Sequence, residues 1–345
     1  MKALVYHGPG KKSWEVKPKP IIEDPTDAVV KILKTTICRR DLHILKGNVP
    51  TVTDGRIIGH EGVGIIDKVG SAVHNFKKGD SVLISCIASC GKCEYCKSAR
   101  YSLCEKGGWI LGNLIDGTQA EYVRIPYADN SLYPIPADAD EDALLMLSDI
   151  LPTGFDCREL NGKVKPGETI AIVGAGPIGL AVLLRAQLYN PVKIIMIDPD
   201  DYHLNVAKTF RATHIINSTH ENVVEKVKSL TNGKGVDTAI EAVGLPATFE
   251  LCEAIIGFCG HIANIRIHGK RIILHLQTLW SRNFTITTRL ADTGYTPMLF
   301  KDVTSRNLDP KKLVTHRFKL NQIVKAYDTL GNTSKEKTLK VILSN

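Results

Sequence analysis

The chain has 345 residues, 43% apolar and 23% charged, enough for two ordinary domains and normal for a soluble globular protein. No apolar run approaches the roughly 18 residues of a membrane helix, and the first residues show no signal-peptide pattern, so a cytoplasmic protein is expected. The formal charge of +8, from 44 Lys and Arg against 36 Asp and Glu, is scattered along the chain; without a basic run interleaved with aromatics, neither nucleic acid nor membrane is an expected partner.

Residues 1 to about 150 read as β-rich, with short Val/Ile segments at Ala28–Leu33, Gly64–Val69, Ser81–Ile84 and Ala120–Ile125 between Gly, Pro and Asp turns. Four of the nine cysteines fall in this part within fifteen residues: Cys90, Cys93, Cys96 and Cys104. Four thiolates at spacings of three, three and eight can wrap one tetrahedral Zn²⁺ with no open position, which makes such a site structural. The alternative is four reduced thiols. A disulfide framework does not suit a large chain without a secretion signal.

From about 165 to 290 strands alternate with amphipathic helices, which implies a parallel sheet. Strands are expected at Thr169–Val173, Lys193–Ile197, Val236–Ile240, His261–Ile265 and Phe284–Thr288, and helices over about Pro177–Tyr189 and Asp201–Phe210. The tail after about 292 lacks this rhythm and is expected to return to the first domain. The first strand runs into Gly174-Ala-Gly176-Pro177-Ile178-Gly179 and then a helix. These glycines allow a tight turn, close approach of backbone to a pyrophosphate, and close helix–strand packing, with the helix N-terminus offering free N–H groups. Asp198 ends the next strand, 24 residues past Gly174. A carboxylate there accepts hydrogen bonds from an adenosine ribose and repels the extra phosphate of NADP, which favours NAD. Asp200 and Asp201 add to the repulsion, although either also suits a helix N-cap.

Gly59-His60-Glu61-Gly62, Cys38 with Asp41-Leu-His43 after it, the four-cysteine loop, the glycine fingerprint, Gly233-Lys-Gly-Val-Asp237 and Glu241-Ala-Val-Gly244 together resemble the zinc-containing medium-chain alcohol dehydrogenases. The resemblance covers essentially the whole chain. It implies an α/β protein with a GroES-like β-rich catalytic domain, residues 1–152 and 292–345, and a doubly wound Rossmann domain, 153–291. By position, Cys38, His60 and Asp149 match the catalytic zinc ligands. Glu61 matches a near or alternating ligand, and Asp41 a group that orients the His60 imidazole. A carboxylate as third ligand fits a branch acting on secondary and short primary alcohols. The implied chemistry is Lewis-acid activation of an alcohol and hydride transfer to NAD, with His43 at the end of the proton relay. Arg39 matches a pyrophosphate contact; Thr153, Val243, Ile265 and Ile267 match positions lining the cofactor, and Trp109 a position lining the substrate pocket. Two zinc ions per chain, an alcohol, aldehyde or ketone substrate, and a homodimer or homotetramer follow from the same resemblance.

Arginine departs from the family pattern at several places. Arg40 replaces the hydroxyl that takes the alcohol proton, and a guanidinium has five donors and no acceptor. Arg211, Arg266 and Arg289 stand where glycine is usual; positive φ or close backbone approach to a ligand would make them costly. Arg211 also suits a plain surface substitution, whereas Arg40, Arg266 and Arg289 favour an alternative reading, a non-catalytic or impaired zinc- and nucleotide-binding relative. A polyol dehydrogenase or carbonyl reductase is a third.

Overall fold

The computed structural model describes residues 1–156 and 162–345; Cys157 lies outside the described residues. The chain divides into two compact units, Met1–Pro152 with Asp292–Asn345, and Thr153–Ala291.

The first unit is built on a seven-stranded sheet. Its order is Val314–Lys319, Lys340–Ser344, Ala28–Thr36, Gly62–Val69, Ser81–Ile84 and Leu132–Pro134, and Tyr122–Ile125 also pairs with Ala28–Thr36. The expected strands are present with shifted ends: the first runs on to Thr36, the next begins at Gly62, and the last begins at Tyr122 rather than Ala120. The extensions matter, because they carry the backbone up to Cys38 and back from His60. One side of this unit packs Leu4, Tyr6, Ile37, Ile44 and Ile58 against Ile323, Tyr327, Leu330, Val341 and Leu343 from the C-terminal tail. The tail therefore contributes core as well as two sheet strands. Another core, of Val30, Ile32, Ile66, Val82, Ile84, Leu111, Val123 and Leu132, fills the sheet interior.

The second unit holds six strands in the order His214–Asn217, Lys193–Asp198, Thr169–Val173, Val236–Glu241, Ile256–Asn264 and Thr285–Thr288. Every neighbouring pair is parallel. Counted within the unit this is 3-2-1-4-5-6, the doubly wound order, whose switch point lies beside the first strand. The central strands Thr169–Val173 and Lys193–Asp198 are buried on both faces beyond their first residue, as the middle of a sheet covered on both sides requires. The helix after the glycine run is Pro177–Ala186, closed by a 3₁₀ turn at Gln187–Tyr189. Proline at its first position loses no hydrogen bond there. The Ile256–Asn264 strand starts earlier than expected, and its register against Val236–Glu241 shifts between Val236 and Thr238.

Candidate metal centres and nucleotide-binding loop

Cys38 ends the extended run after Ala28–Thr36 and caps the helix Arg39–Leu45. Asp41, at the third position of that helix, accepts a hydrogen bond from Cys38 N–H at 2.9 Å. This local clasp turns the chain so that Cys38, Arg40 and Asp41 face inward while Arg39 is exposed. Asp41 Oδ2 also accepts from Gln119 Nε2 at 2.9 Å, and Gln119 Oε1 accepts from the Tyr327 hydroxyl at 2.8 Å. His60 lies in the segment leading into the neighbouring strand, Gly62–Val69. Gly59 before it has φ +99°, and a Cβ there would stand 2.6 Å from Gln119 Cγ, so only glycine lets the two segments meet.

Asp149 completes the group. Its Oδ2 lies 3.4 Å from Cys38 Sγ and 3.4 Å from His60 Nε2, while Asp41 Oδ1 lies 3.5 Å from His60 Nδ1. The possible ligand atoms of Cys38, His60, Glu61 and Asp149 all lie within 4.8 Å of one another, and all four residues are buried. Tetrahedral zinc ligands at ordinary bond lengths are about 3.3–3.6 Å apart, so the spacing fits one ion. The chemistry of the donors fits as well. Neither His60 nitrogen makes a hydrogen bond, although both are fully buried, a costly state for a group without a ligand. Burial pulls the His60 imidazolium down, yet Asp149, Cys38 and Asp41 override it and raise the pKa to about 10.

Glu61 is close by but already partnered. Lys340 Nζ stands 2.9 Å from its Oε1 and 2.5 Å from its Oε2, and both residues are buried. Burial raises the Glu61 carboxyl, and Lys340 opposes it. Arg40 is turned inward: Nη2 donates to Asp149 Oδ1 at 2.8 Å, and the guanidinium carbon lies 5.2 Å from the Trp109 ring centre. Trp109 meets His60 edge to face at 6.0 Å and also packs against the Leu4, Tyr6 and Ile37 core. His43 is half-buried, with Nδ1 3.2 Å from Asn48 Nδ2. Sequence reasoning missed Lys340, Gln119, Tyr327 and Cys86, whose thiol lies 3.4 Å from Asp149 Oδ1. A lysine inside the apolar strand Lys-Val-Ile-Leu-Ser was the one available signal, since a buried lysine needs an acid.

Cys90, Cys93, Cys96 and Cys104 also gather within 4.8 Å of one another. N–H groups aim at their sulfurs, as in Cys90 N to Cys104 Sγ at 3.3 Å and Lys92 N to Cys90 Sγ at 3.5 Å. The N–H groups of Cys96 and Glu105 lower the Cys93 thiol to about 6, while burial pushes the Cys96 thiol up to about 12 and raises that of Cys104.

In the second unit Gly174 has φ +106°, and a Cβ on Gly179 would lie 1.8 Å from Gly174 O, so helix and loop touch backbone to backbone. Gly176 is the helix N-cap, followed by Pro177 and buried Ile178. Asp198 Oδ2 accepts from Ala175 N–H at 2.7 Å and Oδ1 from Asp200 N–H at 2.9 Å, which ties the carboxylate to the loop. His203 Nδ1 lies 3.3 Å from the same Oδ1. Asp200 is the N-cap of the next helix. A Cβ on Gly174 would meet Val243 Cγ2 at 2.6 Å, Ile267 O lies against Gly244, and Ile265 N–H donates to Glu241 O. Thr153 is buried at the start of this unit. Of the three arginines at glycine positions, Arg211 alone has positive φ, +63°; Arg266 and Arg289 have ordinary backbone, so the expected strain is absent there.

Two family models match the chain, the alcohol dehydrogenase GroES-like domain over residues 24–137 and the zinc-binding dehydrogenase over 177–304. An alcohol dehydrogenase of Cupriavidus necator is 37% identical, covering 99% of this chain and 98% of its own. An NADP-dependent isopropanol dehydrogenase of Thermoanaerobacter brockii is 31% identical, covering 99% of each. The solved zinc-dependent alcohol dehydrogenase 2 from Streptococcus pneumonia, in its apo form, is 52% identical with a TM-score of 0.96, covering 100% of this chain and 98% of its own. With both halves matched and relatives similar along the whole length, the chain belongs to the zinc-containing medium-chain alcohol dehydrogenase family.

Proposed function

We propose that the protein is an NAD-linked dehydrogenase of small primary or secondary alcohols, working also in reverse on the matching aldehydes and ketones. The observation that carries this is the buried Cys38, His60, Glu61 and Asp149 cluster, with both His60 nitrogens lacking hydrogen bonds. Cys38, His60 and Asp149 would hold a zinc ion, which when bound supplies Lewis-acid polarisation of the substrate oxygen. Asp41 orients the imidazole through Nδ1, so that Nε2 faces Asp149. Lys340 keeps Glu61 engaged, leaving it a reserve ligand rather than a fixed one. The four-cysteine loop would hold a second, structural zinc.

Oxidation moves a hydride from the carbinol carbon to the nicotinamide and releases the hydroxyl proton. Arg40 offers no acceptor for that proton, so half-exposed His43 and water carry it out. The glycine loop and the free N–H groups of the Pro177–Ala186 helix suit a pyrophosphate, with Arg39 as an added contact. Asp198, held by Ala175 and Asp200, offers its carboxylate to an adenosine ribose in this reading, which supports NAD over NADP. Thr153, Val243, Ile265 and Ile267 line the cofactor in this reading. A cytoplasmic homodimer or homotetramer completes it; among the described residues no helix is long and apolar enough to cross a membrane.

The test is reduction of NAD and of NADP, followed by absorbance, across a panel of short alcohols. Turnover with NAD at least tenfold more efficient than with NADP supports the proposal. Turnover that prefers NADP removes the role given to Asp198, and no turnover of any alcohol in zinc-replete protein removes the enzyme reading in favour of an impaired relative.

A further inference from the structure

Arg40 and Trp109 each bring a buried nitrogen donor that makes no hydrogen bond: Nη1 of the guanidinium and Nε1 of the indole. Arg40 is only 7% exposed, and its other terminal nitrogen is fixed on Asp149. The guanidinium carbon stands 5.2 Å from the indole ring centre, so the two side chains are in contact. That pair adjoins His60 and Asp149. A buried donor left unpaired is costly, and a charged one more so; rigid unpaired donors beside a reaction centre are a ready-made recognition element for oxygen.

We propose that Arg40 Nη1 and Trp109 Nε1 bind a second oxygen of the substrate, carried on the carbon next to the reacting one. The ligand chemistry is a vicinal acceptor oxygen: the hydroxyl or carbonyl of a 1,2-diol or hydroxyketone, or the carboxylate of a 2-hydroxy acid. Arg40 in this role is a specificity determinant, and its replacement of a proton-accepting hydroxyl becomes an exchange of function rather than a defect. The inference rests on the dehydrogenase reading for the identity of the reacting carbon, but the oxygen preference is measured by binding alone.

The experiment is ligand-observed NMR titration of the zinc-replete enzyme with three ligands of one carbon skeleton: propan-2-ol, propane-1,2-diol and lactate. The diol or lactate, or both, should bind at least tenfold more tightly than propan-2-ol, and the tighter of the two identifies a neutral or an anionic second oxygen. Arg40→Met with zinc content equal to wild type should abolish the preference. Trp109→Phe keeps the Arg40–Asp149 bond and should weaken the preferred ligand at least threefold; it decides the matter alone if Arg40→Met loses zinc. Equal affinities for all three ligands in wild type, or a preference that survives these variants, would overturn the proposal. Failure of the dehydrogenase reading is seen separately, as absence of turnover with the preference intact.

Discussion

Removing the Lys340 ammonium should destabilise the first unit more than almost any other single change. Lys340 is 3% exposed and Glu61 1% exposed, and their pair is supplemented by Lys340 Nζ to Ile37 O at 3.4 Å. Breaking a buried ion pair from one side costs about 3–5 kcal/mol, because the remaining charge is left without a partner. Methionine keeps most of the lysine volume, so the loss in Lys340→Met is electrostatic rather than a cavity. Set against a stability of roughly 5–15 kcal/mol for a typical domain, this is a large fraction of the total. Urea unfolding followed by circular dichroism, on protein of equal zinc content, measures it. The double variant Lys340→Met with Glu61→Gln should recover at least half of the loss, since the stranded charge is gone. A loss in Lys340→Met below about 1 kcal/mol, the range of an exposed pair, would refute the reasoning, as would a double variant no better than the single one.

Gly179→Ala should abolish nucleotide binding, measured by fluorescence titration, because its Cβ would fall 1.8 Å from Gly174 O and force the loop open. Cys93→Ala should lower the zinc content by one ion per chain and lower Tm, since structural zinc binding contributes directly to folding free energy. Asp198→Gly should weaken NAD and narrow the gap to NADP in Kd measurements; an unchanged ratio would mean the carboxylate only seats the loop. Asp142 has a pH signature. Burial raises its pKa, but bonds to Lys34 and Arg317 outweigh that and hold it below the usual aspartate range. A depressed folded-state pKa stabilises above the unfolded value and is lost as pH falls through the folded one. Asp142→Asn should therefore cost stability at neutral pH, and the difference from wild type should shrink as pH falls below about 4 and vanish only below the depressed folded-state pKa, as thermal unfolding across pH will report.

Local chemistry was legible in the sequence. The four cysteines, the glycine run and Asp198 each lie in a short segment whose spacing dictates its own geometry, and the alternation after residue 165 announced the parallel sheet. What the sequence hid is tertiary. Whether Arg40 faced solvent or the site depended on Asp149, 109 residues away, and Lys340 meets Glu61 across 279 residues. Backbone torsion was hidden too: Arg211 occupies a left-handed position while Arg266 and Arg289 do not, although all three replace glycine in the family pattern. Strand ends were misjudged where pairing, not side-chain pattern, sets them, as when Ala28–Thr36 continues toward Cys38 under contact with the Gly62–Val69 strand.

The central claim is that Cys38, His60 and Asp149 hold a zinc ion separate from the one in the cysteine loop. Elemental analysis of wild type beside His60→Ala tests it most directly. The account predicts two zinc ions per chain in wild type and one in the variant, with the fold retained. One ion in wild type, or two in His60→Ala, would contradict it.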